Sequence, residues 1–124
     1  MPWNLDDNRP IYLQLMERIQ QDIISGVYGP GDKLPSVREL ALEAYVNPNT
    51  MQKALSELER SSLVHSQRTS GRYITRDEQM LKQLKHDLAF QHIQEFMEKM
   101  KQLGFAEAEI FQLLQEVISN TKGE

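Results

Sequence analysis

Between positions 33 and 76, seven basic side chains (Lys33, Arg38, Lys53, Arg60, Arg68, Arg72 and Arg76) stand against four acidic ones. They keep polar company. Asn47, Asn49, Thr50 and Gln52 lead up to Lys53, and Arg68 and Arg72 bracket Thr69, Ser70 and Gly71. A guanidinium forks onto a phosphate or a guanine edge, a glutamine amide matches adenine, and an ammonium suits guanine or phosphate. This is the chemistry of nucleic-acid contact. Catalysis has no comparable set. There is no cysteine, which removes disulfides, thiolate metal sites and a cysteine nucleophile. His65, His86 and His92 are scattered, and the last two are six residues apart, off a common helical face, so no metal is expected. No glycine-rich phosphate loop, nucleophile elbow or usefully spaced carboxylate pair is present. Neither an enzyme nor a cofactor is expected.

The whole chain is acidic, with 14 Lys and Arg against 18 Asp and Glu and a net charge of −4 over 124 residues. That balance alone argues against a nucleic-acid binder and leaves open a protein-interaction module that binds no DNA. The charge is uneven, however. Residues 1–76 balance to zero, and the whole deficit lies in 77–124. An apolar content of 40% with 26% charged residues fits a folded domain. There is no run of eighteen apolar residues and no basic, apolar leader at the N-terminus, so a cytoplasmic protein without membrane contact is expected.

The elements that must carry the basic set can be read in order. Trp3–Arg9 reads as an extended arm. Asn8 is placed as the cap of a first helix with Pro10 in its first turn, apolar positions at Tyr12, Leu15, Met16, Ile19, Ile23 and Ile24, and Gly26 as its left-handed end. Gly29-Pro30-Gly31 is a turn, and Lys33-Leu34-Pro35 is a short extended piece. Ser36-Val37-Arg38-Glu39 is a capping box opening a short helix that stops near Tyr45. Asn47 and Pro48 start a third helix, with Met51, Ala54, Leu55 and Leu58 inward, ending near Ser61. Leu63–Gln67 and Arg72–Thr75 read as two strands joined by the polar Arg68–Gly71 turn. Three helices followed by a hairpin make a winged helix-turn-helix. Tyr12, Leu15, Ile19, Leu40, Leu58 and Tyr73 are assigned to its core.

After Asp77 the pattern changes. Leu81, Leu84, Leu88, Ile93, Phe96, Met97, Met100 and Leu103 repeat at three- and four-residue spacing, and Gly104 breaks the helix. A last helix carries Ile110, Leu113, Leu114, Val117 and Ile118, with Asn120–Glu124 frayed. The fold class is therefore mainly α with a minor β part. A winged helix-turn-helix over 1–76 is followed by a two-helix appendage over 77–124. Leu81, Leu84, Leu88, Ile93, Phe96, Met97, Met100, Ile110, Leu113, Leu114 and Val117 are the expected interface of a homodimer, since two helices cover so long an apolar run poorly. Folding back on the winged domain is the alternative.

From Pro10 to Ile74 the sequence resembles the GntR family of bacterial transcription regulators. Pro10-Ile11-Tyr12-Leu13-Gln14-Leu15, Ile23-Ile24-Ser25-Gly26, Pro30-Gly31-Asp32-Lys33-Leu34-Pro35-Ser36-Val37-Arg38-Glu39-Leu40-Ala41, Val46-Asn47-Pro48-Asn49-Thr50 and Ala54-Leu55-Ser56-Glu57-Leu58-Glu59 carry the likeness. The short second part is similar to the YtrA-type subfamily. The resemblance implies a dimeric repressor that occludes a promoter, often that of an ABC-transporter operon. Three positions depart from it. Thr69 stands where the wing commonly has its first glycine, Ser62 where a glycine often follows the third helix, and Gln52 where an arginine is frequent.

On this reading Arg38, Asn47, Asn49, Thr50, Gln52, Lys53, Arg68, Thr69, Ser70, Gly71 and Arg72 form the DNA-binding set, with Gln52 and Lys53 toward the bases. Their partner would be a palindromic double-stranded operator. Each has a plainer role beside this one. Asn47 is explained by capping alone, Arg38 by solvation at a helix start, and 68–72 by an ordinary soluble turn. The operator sequence and any small-molecule effector are not legible.

Overall fold

The computed structural model describes residues 3–68 and 70–122. Helix α1 spans Ile11–Ile24. Its N-cap is Pro10, with φ −53° and ψ 131° and no side-chain cap, so Asn8 does not cap it. Asn8 stands two residues upstream, and its own N–H bonds Asp6 Oδ1 at 2.8 Å. The buried Gln14 organises this entry instead. Its Nε2 donates to the carbonyls of Asp6 (2.6 Å) and Arg9 (3.0 Å), and its Oε1 accepts from Asp6 N–H (2.8 Å). The preceding arm is anchored rather than merely extended. Trp3 is only 6% exposed, stacks under the Arg18 guanidinium at 4.7 Å and donates its Nε1 to Glu43 Oε1 at 3.3 Å. Gly26, at φ +91°, follows the helix end as expected.

Helix α2 (Val37–Ala44) opens on the complete capping box. The Ser36 hydroxyl accepts from Glu39 N–H, and Glu39 Oε1 accepts from Ser36 N–H, both at 3.1 Å. It ends at Tyr45 in the left-handed region. Helix α3 (Pro48–Arg60) begins on Asn47, whose Oδ1 accepts from Asn49 N–H at 2.8 Å, with Pro48 first in the helix. Ser62 then turns the chain at φ +69°.

Strand β1 (Val64–Gln67) pairs antiparallel with β2 (Gly71–Ile74), with Val64 opposite Ile74 and Gln67 opposite Gly71. Gly71 is thus the first residue of the strand, not part of the turn. The extended 31–34 segment runs along the other edge of β2, through Leu34 N–H to Arg72 O (2.9 Å), Ile74 N–H to Asp32 O (2.9 Å) and Gly31 N–H to Ile74 O (3.0 Å). Leu15, Ile19, Leu40, Met51, Leu55, Leu58 and Ile74 are fully buried in one core. Burying each such side chain is worth about 1.5–3 kcal/mol. Tyr12 packs half-buried on its edge. Tyr73 is not a core residue. It lies half-buried on the wing, stacked on His65 across the strand pair with ring centroids 6.2 Å apart.

Two compact units make up the chain, Met1–Leu84 and Lys85–Glu124. Helix α4 (Glu78–Gln102) starts in the first, where Leu81 and Leu84 are half-buried against the winged core. That part of the apolar run has its cover within the chain. In the second unit Gly104 (φ +96°) ends α4, and α5 spans Glu107–Lys122. Glu109 Oε1 accepts from Ala106 N–H at 2.9 Å, closing the helix start. The helix runs through Asn120 to Lys122 rather than fraying at Asn120, and residues 123 and 124 lie outside the described part.

Candidate nucleic-acid interface

Three elements meet around one open groove of about 570 Å³. The start of α2 (Pro35–Glu39) forms one wall. Ser70, Gly71 and Arg72 of the wing form the other with Lys33, and Pro48 brings in the start of α3. The structure therefore gathers Arg38, Ser70, Gly71 and Arg72 from the candidate set. It adds Lys33, which the sequence reading counted among the basic residues without giving it a site. Its signal was the short extended stretch before the capping box, which pairs at Lys33 with Tyr73.

The close approach of Lys33 to the wing explains a glycine. Gly71 sits at φ +113°, and a Cβ there would lie 3.1 Å from Lys33 Cε. A larger residue would strain the backbone and press on that side chain.

The remaining candidates lie along α3 and at the tip of the wing. Asn47, Asn49, Gln52 and Lys53 are exposed, and Thr50 is half-buried. Gln52 Nε2 donates along the helix to Ser56 Oγ at 3.2 Å. Lys53 rests its ammonium on Tyr12, so α1 reaches this surface too. Arg68 is exposed at the turn, and Thr69 lies outside the described residues. Ser70 Oγ donates to Gln67 Oε1 at 3.4 Å.

Arg72 is held from behind. Its Nε donates to Glu59 Oε1 on α3, and Ser66 Oγ donates to the same oxygen at 2.8 Å. No local pattern announced this contact, since Glu59 and Arg72 are thirteen residues apart. Two carboxyls at the interface are tuned. Burial pushes the Glu59 carboxyl up, but the hydrogen bonds from Arg72 and Ser66 and the Arg72 charge outweigh it and leave it below the usual glutamate value. The backbone and hydroxyl of Ser36 hold the Glu39 carboxyl down, with help from the Lys33 charge. Both stay ionised, and acidic side chains therefore accompany the basic ones here.

The chemical capability is anion contact across a flat partner. Lys33, Arg38 and Arg72 flank the groove, which the starts of α2 and α3 also line. Among the described residues no group of His, Asp and Glu could hold a metal ion, and no helix is long and apolar enough to cross a membrane.

Residues 11–74 match the family model of bacterial regulatory proteins, gntR family. The chain belongs to the GntR family. Over 105 residues it is 38% identical to the uncharacterized HTH-type transcriptional regulator YhcF of Bacillus subtilis, covering 85% of this chain and 87% of that protein. It is 47% identical over 66 residues to the HTH-type transcriptional repressor YtrA of the same organism, covering 53% of this chain and 51% of YtrA. A solved GntR family transcriptional regulator from Listeria monocytogenes superposes with a TM-score of 0.82 at 39% identity, over 90% of this chain and 98% of that one. This GntR protein is thus a DNA-binding transcriptional regulator and not an enzyme, and its likeness to YtrA agrees with the subfamily resemblance.

Proposed function

We infer that the protein is a cytoplasmic homodimeric repressor that occludes a promoter by seating two winged domains on a two-fold operator. The winged part, 1–76, would bind DNA and the part 77–124 would dimerise. The observation that carries the DNA contact is the groove, where Lys33, Arg38 and Arg72 converge from three separate segments. The start of α3 would enter the major groove with Asn49, Gln52 and Lys53 toward base edges, while Arg38, Thr50 and the wing from Arg68 through Thr69 to Arg72 hold phosphates.

Dimerisation is supported by what the second unit leaves uncovered. Ile110 is its one buried residue among those described, whereas Phe90, Ile93, Phe111, Leu114, Val117 and Ile118 are all exposed. Leu88, Phe96, Met97, Met100 and Leu113 are half-buried beside them. A single copy rarely leaves so much apolar surface in water. Two copies sharing it would form an isologous contact, which matches a palindromic operator. The likeness to the HTH-type transcriptional repressor YtrA supports repression, and control of an ABC-transporter operon is what the YtrA-type resemblance implies.

Fluorescence anisotropy against the promoter upstream of its own coding region, at two salt concentrations and with competitor DNA, tests the reading. Tight, competitor-resistant binding that weakens steeply with salt supports it. Binding no better than to random DNA at that promoter and across a randomised pool would sink the operator and turn the search to protein partners.

A further inference from the structure

Glu59 is an acidic residue on the helix that would enter DNA, and on charge alone it should oppose binding. Its surroundings give it another use. Its Oε1 accepts from Arg72 Nε and Ser66 Oγ, so one oxygen ties α3 to both strands of the wing. The side chains of Arg72 and Glu59 are 20% and 31% exposed, so the pair is shielded but not sealed. Arg72 also lines the groove, and its two terminal nitrogens have no hydrogen bond to any described residue.

We propose that Glu59 is a positioning residue for the wing: by taking Arg72 Nε it leaves the terminal nitrogens of Arg72 set toward a DNA phosphate in the groove. An unheld arginine surrenders rotamer freedom when it binds, and one already fixed at Nε surrenders less. The paired guanidinium keeps its outward donors, because a fork has five N–H groups and Glu59 uses one edge. Ser66 fixes the carboxylate in turn. The proposal rests on the DNA-binding reading above and assigns one acidic residue a favourable role within it.

Its signature is a sign. Removing a negative charge beside DNA should tighten binding if charge alone counts, and should weaken it if Glu59 positions Arg72. The test is anisotropy titration of the full chain against a random-sequence duplex at low salt, since phosphate contact needs no particular sequence. Glu59→Gln is expected to bind roughly three- to tenfold more weakly. Arg72→Ala should lose at least as much and lower the salt slope by about 0.9. In the Arg72→Ala background, Glu59→Gln should cost nothing further. Ser66→Ala is the gentler variant, keeps both charges, and should lose less in the same direction.

Unchanged or tighter binding by Glu59→Gln would overturn the proposal. So would an equal loss with and without Arg72, which would mean that Glu59 only supports the fold. Wild-type protein that binds neither this duplex nor any member of a randomised pool would overturn the DNA reading itself, and this inference with it.

Discussion

The Lys53 ammonium lies 4.0 Å from the centroid of the Tyr12 ring, joining the exposed face of α3 to the first turns of α1. A cation over an aromatic face keeps its outward N–H donors, so Lys53 is steered without being neutralised. Lys53→Ala is expected to weaken operator binding by about 1–3 kcal/mol and to relax its sequence preference. Tyr12→Leu keeps the net charge but removes the ring. It should cost about 0.5–1 kcal/mol of stability and weaken binding less than Lys53→Ala. Paired anisotropy and urea titrations measure both, and Tyr12→Leu with wild-type affinity and stability would dismiss the contact.

Tyr45 and Ser62 hold left-handed backbone, at φ +60° and +69°, and neither is glycine. Tyr45 closes α2 and is 79% exposed, so little packing repays its strain. A left-handed residue with a Cβ costs about 1–2 kcal/mol, and glycine returns about half of that through its freer unfolded chain. Tyr45→Gly and Ser62→Gly should each stabilise the protein by about 0.5–1 kcal/mol. The check is a raised urea midpoint at unchanged m-value. A lowered midpoint for Tyr45→Gly would mean that the ring makes contacts stronger than the strain.

The Glu59 carboxyl also makes a pH prediction. Its folded-state value lies below the ordinary 4.5, because the Arg72 and Ser66 hydrogen bonds overcome burial. A depressed carboxyl stabilises the fold above its unfolded value and loses that contribution as the pH falls through the folded one. Wild type should therefore be more stable than Glu59→Gln at neutral pH, and the gap should close below 4.5. Urea midpoints from about pH 7 to about pH 3 would show this, and a gap independent of pH would contradict the assigned cause.

Much of this was legible because the signals are local. Ser36 and Glu39 are three residues apart, Asn47 and Pro48 adjoin, and the α3 stripe Met51, Ala54, Leu55 and Leu58 is entirely buried. The misplacements are long-range. Trp3 is anchored by Arg18 and Glu43, fifteen and forty residues away, and nothing in a short polar arm encodes that. Gln14 displaced Asn8 as organiser of the α1 start because a buried amide satisfies two carbonyls and one N–H at once. Tyr73 alternates correctly for a strand, but its partner across the pair is His65 on an open face. The groove itself was half legible. Arg38 and the wing were named from type and position, whereas Lys33 and Glu59 join them only through pairing of the 31–34 segment and the α3–wing contact.

Self-association is the remaining prediction, and it concerns α5. Phe111 is 62% exposed and Val117 61%, while Ile110 beside them is 1% exposed. A charge at an apolar residue that is already wet costs a lone copy little, but one buried between two copies costs several kcal/mol. Phe111→Glu and Val117→Glu should therefore leave the far-ultraviolet circular dichroism of the chain unchanged. In sedimentation equilibrium they should shift it from dimer toward monomer. DNA affinity should fall with it, because two half-sites would no longer be held by one particle. Ser119→Glu, at an exposed polar position on the same helix, is the control and should change neither. A wild-type chain that sediments as a monomer at concentrations where it binds DNA would exclude the dimer. Exposed α5 residues would then have to be explained by some other partner.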